Sequence, residues 1–521
     1  MMSHNDAQGP SRRRFLKGTV GAILAGSLMS RFAGNAEAAV GFKRTVGAER
    51  PVPEGEAMPY KIGVAMEDVT PTWPVPLAGF SFRKGKPSEG VYQPLYVRAM
   101  SIDDGGKKLV YVMGDICYWD RKGGRGPRPG ADNSRGTGAG LGIIKSIQDQ
   151  LRRSHGLEPD QIVFVATHTH SGPVLNDERF KAKLIPATVK CVQDAIAGEK
   201  EGRLFFGRGS TDVGASRRAQ LLNGEDAWQI SPYSSHDHEV VVVKAVDRSG
   251  KVIGLMFNYG CHPTTMGTQL IGGDYCGFAQ LELQKRLGGA VAMFLQGCGG
   301  DGKTDNPQPG KRFLFLTPTK ATVDQPEKLG KRLADDVCKV LKGKMEEIDG
   351  RIQYGSTVVN LPVLSAWTGE KWVDTRAGFS PSDPLSGPRR RMARMARWIT
   401  ESMDANGEYK VTQAADLYVT RIGDKFIHVG LSGEACSPYS LRIKDQLRGN
   451  NVMVTGYTGP MHGYVPGMAQ IPYGGYEVFT NGNRKPYSPE VEDMIVCDAM
   501  ELVETVGNKI PPLEPPKVEE S

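Results

Sequence analysis

The chain has 521 residues, of which 39% are hydrophobic and 24% charged, so it can bury the core of one large domain or of two closely packed ones. Its net charge is +7; five basic and two acidic residues among the first 38 account for +3 of that and leave +4 for the rest. So small a charge argues against nucleic-acid binding. The eight cysteines are scattered without a CxxC pair and indicate neither a disulfide framework nor a thiolate zinc site.

The N-terminal segment predicts an exported protein. Residues 11–17, Ser-Arg-Arg-Arg-Phe-Leu-Lys, match the twin-arginine signal pattern, and Ala36-Glu37-Ala38 offers a small-X-small cleavage site. We expect residues 1–38 to be a signal peptide recognised by the twin-arginine export machinery, and the mature protein to be periplasmic or secreted. The apolar stretch between these motifs falls short of the ~20 strongly apolar residues of a membrane span. We therefore expect a soluble mature chain with no stable membrane span.

Strand-like and helix-like runs alternate along the rest of the chain. We predict a linker at 39–57, a folded domain at 58–505 and a disordered Pro-rich tail at 506–521. Apolar runs predict strands at 61–66, 108–115, 162–166, 203–207, 239–246, 252–258, 290–295, 416–421, 425–430 and 451–456. Helices are predicted at 141–155, 177–197, 324–341, 388–403 and 489–506, with another ending near 287. The pattern predicts an α/β fold of mixed β-sheets flanked by helices.

Two segments rich in arginine leave alternatives open. Residues 121–140 also contain many Gly and Pro residues and form either a solvated loop or a gate at the carboxyl end of the sheet. Residues 389–397 contain five arginines on a predicted helix. That helix presents either a solvated face or a surface for an anionic partner or a membrane.

The stretch Thr167–Pro173, Thr-His-Thr-His-Ser-Gly-Pro, directly follows the apolar run 162–166. Because side chains alternate along a strand, we expect His168 and His170 to point to the same face, at the carboxyl end where α/β sheets bind ligands. Such a pair suggests a metal ligand beside a second ligand or a proton donor. The alternative is a pair of hydrogen-bonded structural histidines at a loop mouth.

Two further strand ends carry residues of the same chemical kind. The predicted strand at 252–258 runs into His262, and the one at 425–430 leads to Glu434. A Gly-rich loop at 296–303 lacks the spacing of a phosphate-binding P-loop. Histidine, histidine and glutamate thus follow three separate strands.

These motifs resemble those of the neutral/alkaline ceramidases and occur in the same order. The shared motifs are His-Thr-His-Ser-Gly-Pro at 168–173, Cys-His-Pro-Thr at 261–264, the segment 273–278, Gly-Asp at 300–301, Ser-Gly-Glu at 432–434 and Gly-Tyr at 463–464. The resemblance covers about 58–505, the catalytic domain of that family. The chain ends near where the family's C-terminal immunoglobulin-like domain would begin.

The resemblance implies a zinc hydrolase that cleaves an amide, or an ester, of a small-molecule or lipid N-acyl substrate through a zinc-activated water. It places the zinc ligands at His168, His262, Glu434 and Tyr464. Two imidazoles and a carboxylate form a catalytic zinc set that leaves room for water.

The remaining candidate catalytic residues follow from the same resemblance. His170 matches a histidine placed to hydrogen-bond the substrate or the tetrahedral oxyanion, and Arg217 matches an arginine of the family's active site. We expect both to stabilise the developing oxyanion, and the Gly-Asp motif contributes Asp301. Lys303 stands where the family has a serine. We expect Lys303 to alter the choice of substrate more than the catalytic power.

Two functions of other classes remain as alternatives. One is a non-catalytic, exported protein of the same fold that binds a metal or a ligand. The other is a serine or cysteine hydrolase that depends on Ser171 or on a cysteine, and the lack of a GxSxG elbow counts against it.

Overall fold

A computed structural model describes residues 46–121, 142–220, 226–231, 234–304, 324–367, 388–480 and 485–507, all within the unit Arg44–Ser521. The predicted signal peptide at 1–38, nearly all of the loop at 121–140 and of the tail at 506–521, and the first part of the linker lie outside these residues. So do the side chains of most arginines in the segment 389–397.

The predicted strands and helices all have counterparts within a few residues. The strands are β1 (Tyr60–Asp68), β2 (Gly90–Val91), β3 (Tyr96–Asp103), β4 (Lys108–Gly114), β5 (Asp120–Arg121), β6 (Ile162–Ala166), β7 (Lys200–Ser210), β8 (Gly214–Gln220), β9 (Asp226–Ser231), β10 (Glu239–Asp247), β11 (Val252–Tyr259), β12 (Leu270–Ile271), β13 (Val291–Gln296), β14 (Gly302–Thr304), β15 (Glu346–Ile348), β16 (Ile352–Pro362), β17 (Thr412–Ile422), β18 (Phe426–Leu431), β19 (Glu434–Ala435), β20 (Asn451–Thr455), β21 (Pro460–Met461) and β22 (Tyr464–Val465). The helices are α1 (Ile143–His155), α2 (Glu178–Ala197), α3 (Asp274–Arg286), α4 (Asp324–Lys342), α5 (Pro388–Ser402), α6 (Ser437–Gln446), α7 (Tyr476–Phe479) and α8 (Val491–Gly507). Sequence reasoning did not find β3, β8, β9 or β16.

Local sequence accounts for the elements nearest the site. β6 consists of β-branched and aromatic residues and one alanine, all buried, as suits a strand covered on both faces. In α1, Ile143, Ile147 and Leu151 recur every four residues and form its buried stripe. Gly156 ends this helix in the left-handed conformation, with φ at 65°, and its amide bonds the carbonyl of Arg152.

Two mixed sheets form the centre of the fold, which confirms the predicted fold class. The larger sheet has the strand order β13-β11-β10-β7-β1-β3-β4-β6, with β15 beside β7; the smaller has the order β16-β17-β18-β20. Three neighbouring pairs in these sheets are parallel, namely β4 with β6, β11 with β13, and β18 with β20. Their carboxyl ends carry the loops that build the site.

The larger sheet curls, so that its two end strands approach each other. Val165 of β6 and Met293 of β13 belong to one inner core, together with Phe426 and Met453 of the smaller sheet. The outer faces are covered by α1 and α2 on one half and by α3 and α4 on the other. Because of this curl, loops that follow distant strands of the sheet meet in space. No helix within the described ranges is both long and apolar enough to cross a membrane.

Candidate metal centre and active site

The four predicted metal ligands lie together. His168 follows β6 and His262 follows β11, while Glu434 lies just past β18 and pairs in parallel register with Tyr464. The side chains of all four are buried or nearly so. The larger sheet thus contributes both histidines, and the loops after the smaller sheet contribute the glutamate and the tyrosine.

The loop after β4 fixes the orientation of His168. The backbone of His168 is in the left-handed region, with φ at 64°, which is uncommon for a residue with a Cβ. Its amide donates to the carbonyl of Ile116 at 3.0 Å, and its Nδ1 lies 2.7 Å from the carbonyl oxygen of Cys117. A carbonyl only accepts, so Nδ1 carries a hydrogen and Nε2 faces the centre.

His168 and His170 come together for a different reason than strand alternation. The strand ends at Ala166, and the left-handed backbone of His168 turns the chain before His170. The expected alternation is therefore wrong as an explanation, although the two Nε2 atoms do approach to 3.1 Å.

His262 is oriented in the same way as His168. Its Nδ1 lies 2.8 Å from the carbonyl oxygen of Gly299, and its Nε2 lies 3.1 Å from Oε2 of Glu434 and 3.0 Å from the hydroxyl of Tyr464. Buried Asp274 holds the loop that follows, because its carboxylate accepts hydrogen bonds from the amides at positions 265 and 266. Asp274 therefore holds the backbone that leaves His262 in place.

The atoms that converge on the centre are acceptors. Oε2 of Glu434 lies 3.4 Å from Nε2 of His168 and 3.1 Å from Nε2 of His262, yet it is buried without a hydrogen-bond partner of proper geometry among the described residues. With both Nδ1 atoms bonded to carbonyls, the Nε2 atoms of the neutral imidazoles present lone pairs. A buried carboxylate oxygen without a hydrogen-bond donor is costly unless a positive charge lies beside it, and once both imidazoles are neutral that charge has to come from a bound cation. The donor set therefore fits a metal ion.

A second set of possible ligands shares His168. Cys117, His168 and His170 also lie close enough to bind one cation. The Sγ atom of Cys117, however, lies on the Nδ1 side of His168, at 3.6 Å, and that nitrogen already bonds the carbonyl of Cys117. We favour the set with Glu434, because the lone pairs there remain available.

Charges within the centre determine which groups carry protons. Burial alone would lower the pKa of His168, but the charges of Cys117 and Glu434 raise it to about 10. Burial and the charge of Arg217 lower the pKa of His262 to about 4. Burial alone would raise the pKa of Glu434, but the two imidazoles hold it well below its usual range. The metal-free centre therefore holds its proton on His168.

His170 sits between the centre and an exposed loop. Its ring meets the edge of the Phe80 ring at 4.8 Å, and Gly79 leaves the space it needs, since a Cβ there would lie 2.3 Å from Cγ of His170. The buried guanidinium of Arg83 bonds the carbonyl of His170 and the hydroxyl of Ser171. Burial and the neighbouring imidazoles lower the pKa of His170 well below 6.5, so this ring is neutral.

Arg217 reaches the centre through Tyr464. Its guanidinium lies over the Tyr464 ring, 5.5 Å from the ring centroid, and over the Tyr476 ring at 5.6 Å. Buried Glu477 accepts a hydrogen bond from Arg217 at 2.8 Å and another from Arg218 at 2.6 Å. The arginine is thus fixed by a buried ion pair on its far side.

Asp301 and Lys303 lie on the strip that follows β13, and the amide of Arg217 donates to the carbonyl of Asp301 at 2.8 Å. The carboxylate of Asp301 accepts hydrogen bonds from the amide and hydroxyl of Ser437 and from Gln470. The backbone of Lys303 lies beside that of His262, and β14 pairs with β8. Burial and the charge of Arg217 lower the pKa of Lys303 to about 8. The structure therefore gives Asp301 a bonding role at the start of α6.

Three residues at the centre were not found by sequence reasoning. The ring of Tyr457 packs 4.5 Å from that of His168, and its hydroxyl lies 3.4 Å from Nδ1 of His262. Tyr476 and Glu477 begin α7, a four-residue helix after two glycines. Tyr457 directly follows the predicted strand at 451–456, so the strand-end pattern could have marked it. Neither a strand end nor a motif marks Tyr476 and Glu477, and the distance of α7 along the chain conceals its contact with Arg217.

Ser171 and three buried cysteines are poorly suited to nucleophilic attack. The hydroxyl of buried Ser171 donates to the carbonyl of Met266 and accepts a hydrogen bond from Arg83. Burial raises the pKa of the thiols of Cys261, Cys298 and Cys436, so these cysteines remain protonated at neutral pH. These observations disfavour Ser171 and these three cysteines as nucleophiles.

Comparisons with known proteins agree with the motifs. The family described as "Neutral/alkaline non-lysosomal ceramidase, N-terminal" matches residues 60–369. The neutral ceramidase of Pseudomonas aeruginosa is 24% identical over 338 residues, which are 60% of this chain and 47% of that protein, so the match spans about half the length of the relative.

Solved structures show the same fold. The crystal structure of neutral ceramidase from Pseudomonas aeruginosa matches with a TM-score of 0.64 and 18% identity over 88% of this chain and 76% of that one. A ceramidase complexed with C2 matches with the same score and identity over 87% and 76% of the two chains. The matched family segment contains both histidines of the centre, whereas Glu434 and Tyr464 lie beyond it and are brought in by the fold.

Proposed function

Because the chain belongs to the neutral/alkaline non-lysosomal ceramidase family, we propose that it is a zinc-dependent amidohydrolase. Its substrate is a lipid or small molecule with an N-acyl bond, of which ceramide is one example, and an ester of the same acyl group is chemically accessible to the same site. One observation carries this proposal above the rest: the possible ligand atoms of His168, His262 and Glu434 lie close together at one buried point, and Oε2 of Glu434 has no hydrogen-bond partner among the described residues.

The donor set supports zinc in particular. Two imidazole nitrogens and one carboxylate oxygen are typical of catalytic zinc, whereas magnesium and calcium prefer oxygen ligands. The hydroxyl of Tyr464, 3.0 Å from Nε2 of His262, is the fourth candidate ligand. When bound, zinc would supply Lewis acidity that activates water and polarises the acyl carbonyl.

The residues around the ligands supply the remaining chemistry. Neutral His170, with Nε2 directed at the centre, accepts the proton of the attacking water and returns it to the leaving nitrogen. Arg217, held by Glu477, keeps positive charge where the oxyanion develops. Water adds across the C–N bond: its oxygen ends on the carboxylic acid and its protons are shared between the acid and the amine.

Elemental analysis beside hydrolysis of an N-acyl amide tests this function. We expect His168→Ala and Glu434→Ala to lose metal and activity together, and His170→Ala to keep its metal while losing about 100-fold or more in kcat. His155→Ala, at an exposed position on α1, is the matched control and should resemble the wild type. If the two ligand variants keep one zinc per chain, the site is misassigned. If the zinc-loaded wild type cleaves no acyl substrate, the non-catalytic alternative is favoured.

We further propose that the protein acts after export by the twin-arginine pathway, in the periplasm or outside the cell. The support is the motif at 11–17 followed by Ala36-Glu37-Ala38. Replacing Arg12 and Arg13 together by Lys should leave uncleaved precursor in the cytoplasm, as judged by fractionation and immunoblotting. Normal export of that variant would rule out this route.

A further inference from the structure

Arg83 is buried although it belongs to an exposed loop. It ends a short 3₁₀ turn at Ser81–Arg83 and is 3% exposed, whereas Phe82 and Lys84 on either side of it are exposed. Charged side chains are rarely buried this fully unless hydrogen bonds satisfy their donors. The groups that the guanidinium bonds therefore have to explain its position.

The guanidinium bonds the two loops that carry the histidines of the site. In the loop after β6, it donates to the carbonyl of His170 and, at 3.1 Å, to the hydroxyl of Ser171. In the loop after β11, it donates to the carbonyl of Met266 at 3.2 Å and to that of Thr268 at 2.7 Å. One planar cation thus ties the loop of His170 to the loop that follows His262.

The ring of His170 lacks the bond that orients the two histidine ligands. Nδ1 of His168 and Nδ1 of His262 each lie within hydrogen-bond distance of a backbone carbonyl, whereas Nδ1 of His170 is buried without a hydrogen-bond partner among the described residues. The His170 ring instead packs against the ring of Phe80, with 4.8 Å between the centroids. The guanidinium of Arg83 in turn covers Phe80, 4.9 Å from the centroid of its ring. Arg83 therefore holds His170 in two ways, through its backbone carbonyl and through Phe80.

Building on the proposed hydrolase function, we infer that Arg83 is a positioning residue, which keeps Nε2 of His170 where it can exchange protons with the attacking water and the leaving nitrogen. In this role the guanidinium acts through the backbone of His170 and through Phe80. Displacing a reacting group by about 1 Å can cost about 100-fold in rate. A lysine at this position keeps the charge, but its donors radiate from one atom and do not reproduce the planar fork that reaches both loops.

Kinetics of the zinc-loaded protein separate positioning from the binding of substrate or metal. Arg83→Lys should lower kcat for an N-acyl amide about 10-fold or more, change KM less than about 2-fold and keep one zinc per chain. Lys86→Ala removes an exposed cation from the same loop, so it is the matched control and should resemble the wild type. An unchanged kcat, a change confined to KM, or loss of zinc from Arg83→Lys would overturn the inference.

A double-mutant cycle with His170 tests whether Arg83 acts through that residue. In a His170→Ala background, Arg83→Lys should lower kcat by less than about 2-fold, because the group that it positions is gone. A further fall by the full factor seen in the wild-type background would contradict the inference. Phe80→Leu removes the ring contact but keeps the bonds of Arg83 to both loops, so the same cycle with this variant decides the question if Arg83→Lys does not fold.

A spectroscopic readout keeps the test independent of the proposed function. In protein labelled with carbon-13 at Cε1 of histidine, the resonance of His170 is assigned by its loss in His170→Ala. Arg83→Lys should shift or broaden this resonance and leave that of exposed His155 unchanged, and Lys86→Ala should change neither. If the wild type cleaves no acyl substrate, the hydrolase proposal fails, while this comparison still decides whether Arg83 holds the ring. An unchanged His170 resonance in Arg83→Lys would overturn the inference whatever the activity.

Discussion

A metal ion and a proton compete for Nε2 of His168. The free-energy cost of displacing the proton follows from the pKa of this group. In the metal-free protein the pKa of His168 is raised to about 10, chiefly because the charges of Cys117 and Glu434 outweigh its burial. The proton is therefore bound at neutral pH and must leave before Nε2 can bind a metal. At pH 7, about three units below this pKa, its displacement costs about 4 kcal/mol.

The direction in which the zinc affinity changes with pH follows from this raised pKa. Because the pKa of His168 is raised, apparent zinc affinity should rise about tenfold per pH unit between pH 6.5 and 9, and it should level off near pH 10. His262 contributes little here, since burial and Arg217 lower its pKa to about 4 and it is already neutral. Each zinc bound should release one proton from His168, and a second if Tyr464 binds as the phenolate.

The dissociation constant for zinc at each pH is measured by competition with a chelator of known affinity. Calorimetry in buffers of different ionisation enthalpy counts the protons released. Cys117→Ser removes one source of negative charge, lowers the pKa of His168 and should flatten the pH dependence, whereas exposed His155→Ala should not. An affinity that stays constant from pH 6.5 to 9, without proton release, would refute the reasoning.

Three further substitutions probe the surroundings of the centre. Gly79→Ala should displace the ring of His170, because the new Cβ would lie 2.3 Å from that ring. We expect kcat to fall at least ~10-fold with the metal retained. Gly85→Ala controls for backbone strain, because Gly85 also has a positive φ but lies in open space. Asp274→Asn should lower the free energy of unfolding by about 1–3 kcal/mol, measured by urea denaturation, and should weaken zinc binding, since an amide cannot accept all the hydrogen bonds of the carboxylate. Glu477→Gln should lower the melting temperature and kcat/KM together, and unchanged values of both would show that the arginines do not need its charge.

The sequence predicted the elements of the fold better than their arrangement. Apolar runs and the cap at Gly156 are local signals, and they located β6 and α1 to within two residues. The alternation that was used to place His170 failed because a single left-handed residue, His168, ends the strand geometry. That conformation depends on the loop at Ile116 and Cys117, which lies some fifty residues away along the chain.

The residue that holds Arg217 in place was beyond sequence reasoning for a similar reason. Glu477 holds Arg217 across 260 residues of chain, and the contact exists only because α7 packs beside β22. An acidic residue in a four-residue helix has no periodicity or motif that would mark it. The opposite holds for Asp301. Its Gly-Asp motif suggested a catalytic role, but its carboxylate accepts a hydrogen bond from the amide of Ser437 in the first turn of α6.

The metal centre lies between the two sheets, because its candidate ligands come from both. His168 and His262 extend from β6 and β11 of the larger sheet, while Glu434 extends from β18 of the smaller one. Without a metal, the proton on His168 is the only positive charge that the titrating groups of this ligand set supply beside the carboxylate of Glu434, whose Oε2 lies within 3.4 Å of both Nε2 atoms. With a metal, the same atoms bind the sheets together, and binding free energy becomes folding free energy. The geometry that activates water in the proposed reaction therefore also stabilises the fold where its two halves meet.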